Sequence, residues 1–242
     1  MSNWYVMGLD SIFHRDVELI LRLFFAQAKV LHTSEDAIGK LVFHLKFDHD
    51  QVVVKVDCSL LEQSLKSIGE AKGVILNHQS EKEQRKQLKQ VINHALLQAL
   101  EKITSIQQPW GILTGVRPTK LYHRLLQKDL DDSTIKERLA KDYRILPEKM
   151  SLLQEIVTRQ HAALPDLYQL RNEVSLYIGI PFCPTKCAYC TFPAYSIRGR
   201  NGSVEAFLEG LHQEIRAIGK WLTDHQCKVT TLYFGGGTPT WT

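Results

Sequence analysis

The segment VSLYIGIPFCPTKCAYC, residues 174–190, joins a short apolar run to three closely spaced cysteines. The run VSLYIGI is rich in β-forming residues and predicts a buried strand. Cys183, Cys187 and Cys190 follow in a C-x₃-C-x₂-C pattern and are three of the five cysteines in the chain. Cysteines crowded in this way indicate metal or redox chemistry rather than a disulfide framework.

The sequence downstream predicts a helix and a second strand. Ser203 can cap a helix whose apolar residues recur on one face over residues 207–222. The run VTTLYF, residues 229–234, predicts a second buried strand, which ends in the glycine-rich turn GGGTPT, residues 235–240. Strand, helix and strand predict a βαβ unit with a parallel sheet. Because parallel strands end at the same edge, we expect the cysteine loop and the glycine turn at one rim.

The upstream sequence predicts a small α+β domain over residues 1–105. Two β-rich runs, residues 41–45 and 52–56, flank a polar stretch and indicate a β-hairpin, with helical spacing before and after it. Residues 106–165 predict a loop followed by a helical extension, in which Thr134 and Glu137 match a capping-box pattern. Residues 166–242 form the third region. The predicted fold class is therefore α/β, with an α+β domain and helical extension preceding the βαβ unit.

Three thiolates in one loop are compatible with two kinds of metal site. A structural zinc site needs four ligands, and Cys227, which precedes the second strand, is expected at the opposite end of the sheet. Three ligands suit a four-iron cluster that keeps one iron open for a small molecule. Glycines at a strand end let such a ligand approach the main chain. A zinc-binding interaction module remains the alternative.

The composition excludes several classes of protein. The net charge of +4, from 30 basic and 26 acidic residues, is too small to indicate a nucleic-acid partner. We find no apolar run long enough for a membrane span and no secretory signal, so we expect a cytoplasmic protein.

Taken together, these motifs resemble those of radical S-adenosylmethionine enzymes. The string YIGIPFCPTKCAYCTFPAY is similar to the oxygen-independent coproporphyrinogen III oxidase-like branch, and PWGILTGVRPTKL, residues 109–121, to its HemZ-type coproporphyrinogen dehydrogenases. Gly179 stands where the better-studied coproporphyrinogen oxidases have a histidine. The resemblance implies that residues 166–242 begin a barrel of radical S-adenosylmethionine type.

The resemblance also implies roles for individual residues. Cys183, Cys187 and Cys190 would hold a [4Fe-4S] cluster whose open iron takes the amino and carboxylate groups of S-adenosylmethionine. Cofactor-binding positions of the family fall on five residues of this chain: Tyr177, Tyr189, Gly236, Gly237 and Thr238. Tyr189 matches an aromatic near the adenine, and the glycine turn matches the backbone that receives the methionyl amino group.

The implied reaction is oxidative decarboxylation of coproporphyrinogen III, in which propionate side chains become vinyl groups. An electron donor such as flavodoxin or ferredoxin would reduce the cluster. Relatives with similar motifs act as haem chaperones, haem-degrading methyltransferases or other radical enzymes, and a haem chaperone is the main alternative. Arg117 and Lys120 could bind an anion such as a porphyrin carboxylate, although a loop with solvated charges is the expectation.

The length of the third region sets a further expectation. Barrels of this kind need on the order of 200 residues or more, and the sequence ends directly after GGGTPTWT. We therefore expect an N-terminal fragment of a longer protein, with uncovered strand edges and no catalytic turnover of its own.

Overall fold

The computed structural model describes residues 2–31, 33–114, 117–170, 172–196 and 202–241. The chain divides into two compact units, Met1–Ala163 and Leu164–Thr242. None of the helices in the described ranges carries an apolar stretch long enough to cross a bilayer.

The first unit is built on a five-stranded mixed sheet in the order β2-β1-β3-β4-β5. The strands are β1 (Asn3–Met7), β2 (Lys29–Leu31), β3 (Gly39–Asp48), β4 (Gln51–Leu60) and β5 (Leu65–Val74). The predicted hairpin is confirmed, because β3 and β4 pair antiparallel over their whole length. Helix α1 (His14–Leu21) connects β1 to β2, which pair in parallel.

Helix α2 (Glu81–Thr104) covers the sheet and contributes much of the first core. Ser80 caps its start by accepting a hydrogen bond from the Glu83 N–H. The helix lies so close to β5 that a Cβ on Gly69 would stand 1.9 Å from the Ala95 carbonyl oxygen. Glycine at this position therefore sets the distance between helix and sheet.

A second hydrophobic cluster holds the helical extension together. Its helices are α3 (Pro118–Leu126), α4 (Asp132–Tyr143) and α5 (Pro147–Ala163). Tyr122 is completely buried in this cluster, and its hydroxyl donates to Asp132 Oδ1 at 2.6 Å. The capping-box prediction is wrong in its position, because Asp131 caps α4 by accepting from the Thr134 N–H at 2.7 Å. Of the glycine- and proline-rich loop before α3, residues 115–116 lie outside the described residues.

The second unit contains the predicted βαβ arrangement. Its elements are β6 (Glu173–Ile180), β7 (Phe182–Cys183), β8 (Tyr195–Ser196), α6 (Val204–Asp224) and β9 (Lys228–Gly236). Strands β6 and β9 pair in parallel, and Ser203 caps α6 by accepting from the Ala206 N–H at 3.2 Å. The mixed α/β class is thus observed, and the barrel stays a prediction.

The prediction that both strands of this unit are buried is wrong. Leu232 on β9 is 54% exposed and Phe234 is 55% exposed, while Tyr177 on β6 is 62% exposed. The physical reason is that one helix is too small to cover both faces of a two-stranded sheet. Exposed apolar side chains of this kind leave the second unit with little core of its own.

The close approach at Gly69 predicts a stability defect. Replacement of Gly69 by alanine places a methyl group against the Ala95 backbone, so we expect the free energy of unfolding of the first unit to fall by about 2 kcal/mol or more. Urea denaturation followed by circular dichroism measures the change. Lys72→Ala, at an exposed position of the same strand, serves as the control and should change stability by less than about 0.5 kcal/mol. Equal stability of both variants and the parent would contradict the packing argument.

Candidate metal and cofactor site

The cysteine loop is closed at its base by backbone pairing. Phe182 pairs with Tyr195 and Cys183 with Ser196, and the Tyr195 N–H donates to the Pro181 carbonyl at 2.7 Å. The loop between these pairs contains the other two cysteines. Cys187 is exposed and Cys190 half-buried, and the Cys190 N–H donates to the Cys187 carbonyl at 3.1 Å. The local fold thus presents all three thiols from one closed segment.

The glycine turn after β9 meets the base of the cysteine loop. Ile180 lies opposite Gly236 in the parallel register. The Gly237 N–H donates to the Ile180 carbonyl at 2.6 Å, and the Thr238 N–H donates to the Phe182 carbonyl at 2.8 Å. The prediction that the two motifs meet at one rim of the sheet is therefore confirmed.

The glycines are needed because the backbones approach closely. A Cβ on Gly237 would stand 2.4 Å from the Phe182 carbonyl oxygen and 2.7 Å from Cys183 Sγ. Gly236 has a φ of +104°, which side chains rarely allow, and its Cβ would meet the Ile180 oxygen at 2.6 Å. Thus Cys183 Sγ lies directly beside the glycine turn, with room for hydrogen alone on Gly237.

Two tyrosines flank this region from different directions. Tyr177 stacks on Tyr233 with 5.6 Å between the ring centroids, and its hydroxyl lies close to Gly235. Tyr189 is 87% exposed. The pKa of Tyr189 is raised, first by a side-chain hydrogen bond to Cys187 and then by negative charge on the same cysteine. The structure thus brings Tyr189 to Cys187, and Tyr177 to the glycine turn.

The loop supplies suitable donors without arranging them around a metal. In the described part of the chain, no three histidine, cysteine or acidic side chains are grouped so that they could hold a metal ion. The chemistry of the donor set fits an iron–sulfur cluster, since its three sulfur ligands come from one loop beside a glycine cradle. A metal centre here therefore requires the loop to close around it, as is common where binding and folding are linked.

The remaining cysteines lie away from the loop. Cys58 is buried on β4, and burial raises the pKa of its thiol to about 12. Cys227 lies just before β9, at the end of the strand opposite the glycine turn, as expected. Neither cysteine belongs to the cluster of candidate ligands.

Sequence reasoning missed the residue that anchors the loop. Phe182 is 3% exposed and packs edge-on against Phe207 of α6, with 5.4 Å between the ring centroids. Its ring also lies 6.3 Å from that of Tyr195. The sequence did contain a signal. Phe182 directly precedes the first cysteine, and Phe207 lies four residues after Ser203, where the helix was predicted to begin.

One match with a known protein covers nearly the whole chain. The oxygen-independent coproporphyrinogen-III oxidase-like protein HemZ of Bacillus subtilis is 45% identical over 240 residues, which are 96% of this chain and 46% of that protein. The chain is a relative of the oxygen-independent coproporphyrinogen III oxidase-like proteins. The resemblance stated from the motifs is thereby confirmed.

Shorter matches connect the chain to two other groups of named proteins. Oxygen-independent coproporphyrinogen III oxidase of Pseudomonas aeruginosa is 38% identical over 78 residues, 32% of this chain and 16% of that enzyme. Heme chaperone HemW of Bacillus subtilis is 43% identical over 67 residues, 27% of this chain and 16% of the chaperone. No family model and no solved structure matches. The chain spans about half the length of its HemZ relative and less of the other two.

The contact between Gly237 and Cys183 predicts an effect on metal loading. Gly237→Ala should push the turn away from the cysteine loop, and we expect about tenfold weaker iron binding after anaerobic reconstitution, as for groups that support a metal ligand. Iron per chain, measured at limiting iron, gives the result. Gly219→Ala, whose new Cβ meets nothing within 4 Å, is the matched control in the same unit. Iron loading that is equal in the two variants would show that the turn does not support the site.

The burial of the cysteines predicts their order of reaction. At pH 8 iodoacetamide should alkylate the exposed Cys187 first and leave Cys58 unmodified until urea unfolds the first unit. Because the folded pKa of Cys58 is raised from 9.0 to about 12, its contribution to stability is present below pH 9 and is lost as the pH rises toward 12. Peptide mass spectrometry measures the order, and Cys58→Ala should show a flatter loss of stability over this pH range. Early alkylation of Cys58 would contradict its burial.

Proposed function

We propose that the second unit carries a [4Fe-4S] cluster and S-adenosylmethionine, and that the protein is a radical S-adenosylmethionine protein. The observation that carries this proposal is the contact of Cys183 Sγ with the glycine turn at the carboxyl ends of two parallel strands. In α/β proteins this edge of the sheet is where ligands bind. A zinc-binding module would have no use for the turn.

The proposed ligands of the cluster are Cys183, Cys187 and Cys190. When bound, a cluster of this kind supplies one electron to the sulfonium of S-adenosylmethionine. The cysteine loop holds the ligands on a base fixed by the buried Phe182. Tyr189 lies close to Cys187 in the exposed part of the loop.

The glycine turn is proposed to receive the methionyl group of the cofactor. The N–H groups of Gly237 and Thr238 already donate to Ile180 and Phe182, so they hold the turn in place. An ammonium group is a donor and needs acceptors. The carbonyl oxygens of Gly236 and Gly237 and the Thr238 hydroxyl are the groups of the turn that can accept. Tyr177 would contact the cofactor from β6.

The proposed reaction of the whole protein is oxidative decarboxylation of coproporphyrinogen III in the cytoplasm, with reducing electrons from a flavodoxin or ferredoxin. It is supported by the names of the relatives, which describe coproporphyrinogen oxidases and an oxidase-like protein. We further propose that the βαβ unit begins a barrel of radical S-adenosylmethionine type, and that this chain alone does not turn over the substrate.

A second candidate is a haem chaperone that uses the same cysteine loop. The match to HemW supports it, because its identity of 43% is comparable to that with the HemZ relative, although it covers only 27% of this chain. A chaperone would need the cluster site and a haem site but would not decarboxylate a porphyrinogen.

Electron paramagnetic resonance tests the cofactor assignment. Protein of this exact sequence is purified and reconstituted anaerobically, reduced with dithionite, and measured with and without S-adenosylmethionine. We expect a [4Fe-4S]⁺ signal whose shape changes when the cofactor is added. A signal that is indifferent to the cofactor, together with binding of haem, would favour the chaperone.

Matched variants link that signal to the loop. The triple variant C183S/C187S/C190S should lose the signal, whereas C227S should retain it because Cys227 lies at the other end of β9. Bound zinc with no iron after reconstitution would refute the proposal, as would an unchanged signal in the triple variant.

A further inference from the structure

Two adjoining cavities open between α2, α3 and α4 of the first unit. One has a volume of about 680 Å³ and the other about 430 Å³. They share a set of lining residues, so we treat them as one space and call it the α2–α3 cleft: Lys86, Gln90, Leu121, Arg124 and Tyr143. The volume of each cavity lies in the range typical of small-molecule sites.

Buried acceptors without partners concentrate on this cleft. Within the described ranges, four buried side-chain polar atoms lack a hydrogen-bond partner. Three are the oxygens Gln79 Oε1, Gln87 Oε1 and Asn93 Oδ1, all on residues that line the cleft. The fourth is Trp4 Nε1, which is not among the lining residues. Because a buried acceptor without a donor is costly, these three oxygens are the groups of the cleft best suited to accept from N–H or O–H donors of a bound molecule.

Asn93 is the most informative of the three. It is only 7% exposed, and it is the one buried polar residue among the described core positions. Neighbouring positions of α2, such as Ile92 and Leu96, are fully buried apolar residues. A leucine side chain branches at the same Cγ and carries no amide oxygen that needs a donor, so packing alone does not account for asparagine here.

The cleft is lined with basic side chains as well as with these acceptor oxygens. Lys86 from α2 and Arg124 from α3 line it together with Lys128, which follows α3. No ion pair to any of these three occurs among the residues that the structure describes. The other basic residues of the cleft are neutralised, since Lys89 pairs with Asp16 at 3.2 Å and Arg138 with Asp142 at 3.4 Å.

We propose that the α2–α3 cleft is a binding site for a small organic anion, one that carries carboxylate or phosphate groups together with N–H or O–H donors. Lys86, Arg124 and Lys128 bind its acidic groups, and the amide oxygens of Gln87 and Asn93 accept from its donors. The site lies wholly within the first unit. It does not depend on the metal and cofactor assignment of the second unit.

Two probes represent the two kinds of molecule that could supply such an anion, a nucleotide and a porphyrin. ADP offers a diphosphate with ribose hydroxyls and an amine, and coproporphyrin III offers four carboxylates with pyrrole N–H groups. Each is titrated into the full chain by isothermal calorimetry at low salt. We expect saturable binding of one molecule per chain by at least one probe, and the probe that binds identifies the source.

Paired variants locate the binding in the cleft. K86Q/R124Q should weaken the affinity by about tenfold or more, because two charged hydrogen-bond donors are lost. K82Q/K141Q removes two exposed charges from α2 and α4 outside the cleft and should change the affinity by less than about twofold. The triple variant C183S/C187S/C190S should bind as the parent does, which separates this site from the proposed cluster.

Asn93→Leu separates a binding role from a structural one. Removing an unpartnered buried amide should leave the thermal midpoint unchanged or higher, while the affinity for the probe falls by about fivefold. A lower midpoint with unchanged affinity would show that Asn93 serves the core alone. Absence of binding by both probes, or equal weakening in K86Q/R124Q and K82Q/K141Q, would overturn the proposal and leave water as the partner of the acceptors.

Discussion

The parallel register of β6 with β9 is the constraint on which the candidate site depends. It sets Ile180 opposite Gly236, and two further hydrogen bonds carry the alignment past the strand ends, to Gly237 and Thr238. A slip by one residue would turn every side chain of the strand to the other face and would move Gly237 away from Cys183. The position of the cysteine loop relative to the glycine turn is therefore set by backbone pairing.

Patterns of local sequence predicted the second unit well. Three signals there are local: the apolar run before Cys183, the capping Ser203 and the glycines after Phe234. Each determines the conformation of only a few neighbouring residues, so the strand, the helix start and the turn could be inferred without knowledge of the fold. The meeting of the cysteine loop with the glycine turn followed from the parallel connection alone. What could not be inferred was the exposure of both strands, because burial depends on elements elsewhere.

The first unit shows where such reasoning stops. Strand β5 carries two glycines and two lysines, and its composition gives little sign of a strand. Its place is decided by pairing with β4 and by the close approach of α2 at Gly69. Likewise, Asn93 reads in the sequence as one polar residue on an amphipathic helix. Its significance appears only when α2, α3 and α4 together form a cleft around an unpaired amide.

The two units differ in what holds them together, and this difference bears on how the loop could acquire a metal. The first unit buries two hydrophobic clusters, whereas Leu222 is the one buried residue of α6, at 9% exposed, and β9 leaves Leu232 exposed. Because the core of the second unit is so small, few packing contacts hold the cysteine loop in one conformation. Binding of three thiolates to one metal centre would stabilise the folded loop where packing does not. The free energy of metal binding then contributes directly to the free energy of folding. It follows that the three cysteines, which are not grouped around one point in the structure, would be brought together as the metal centre forms.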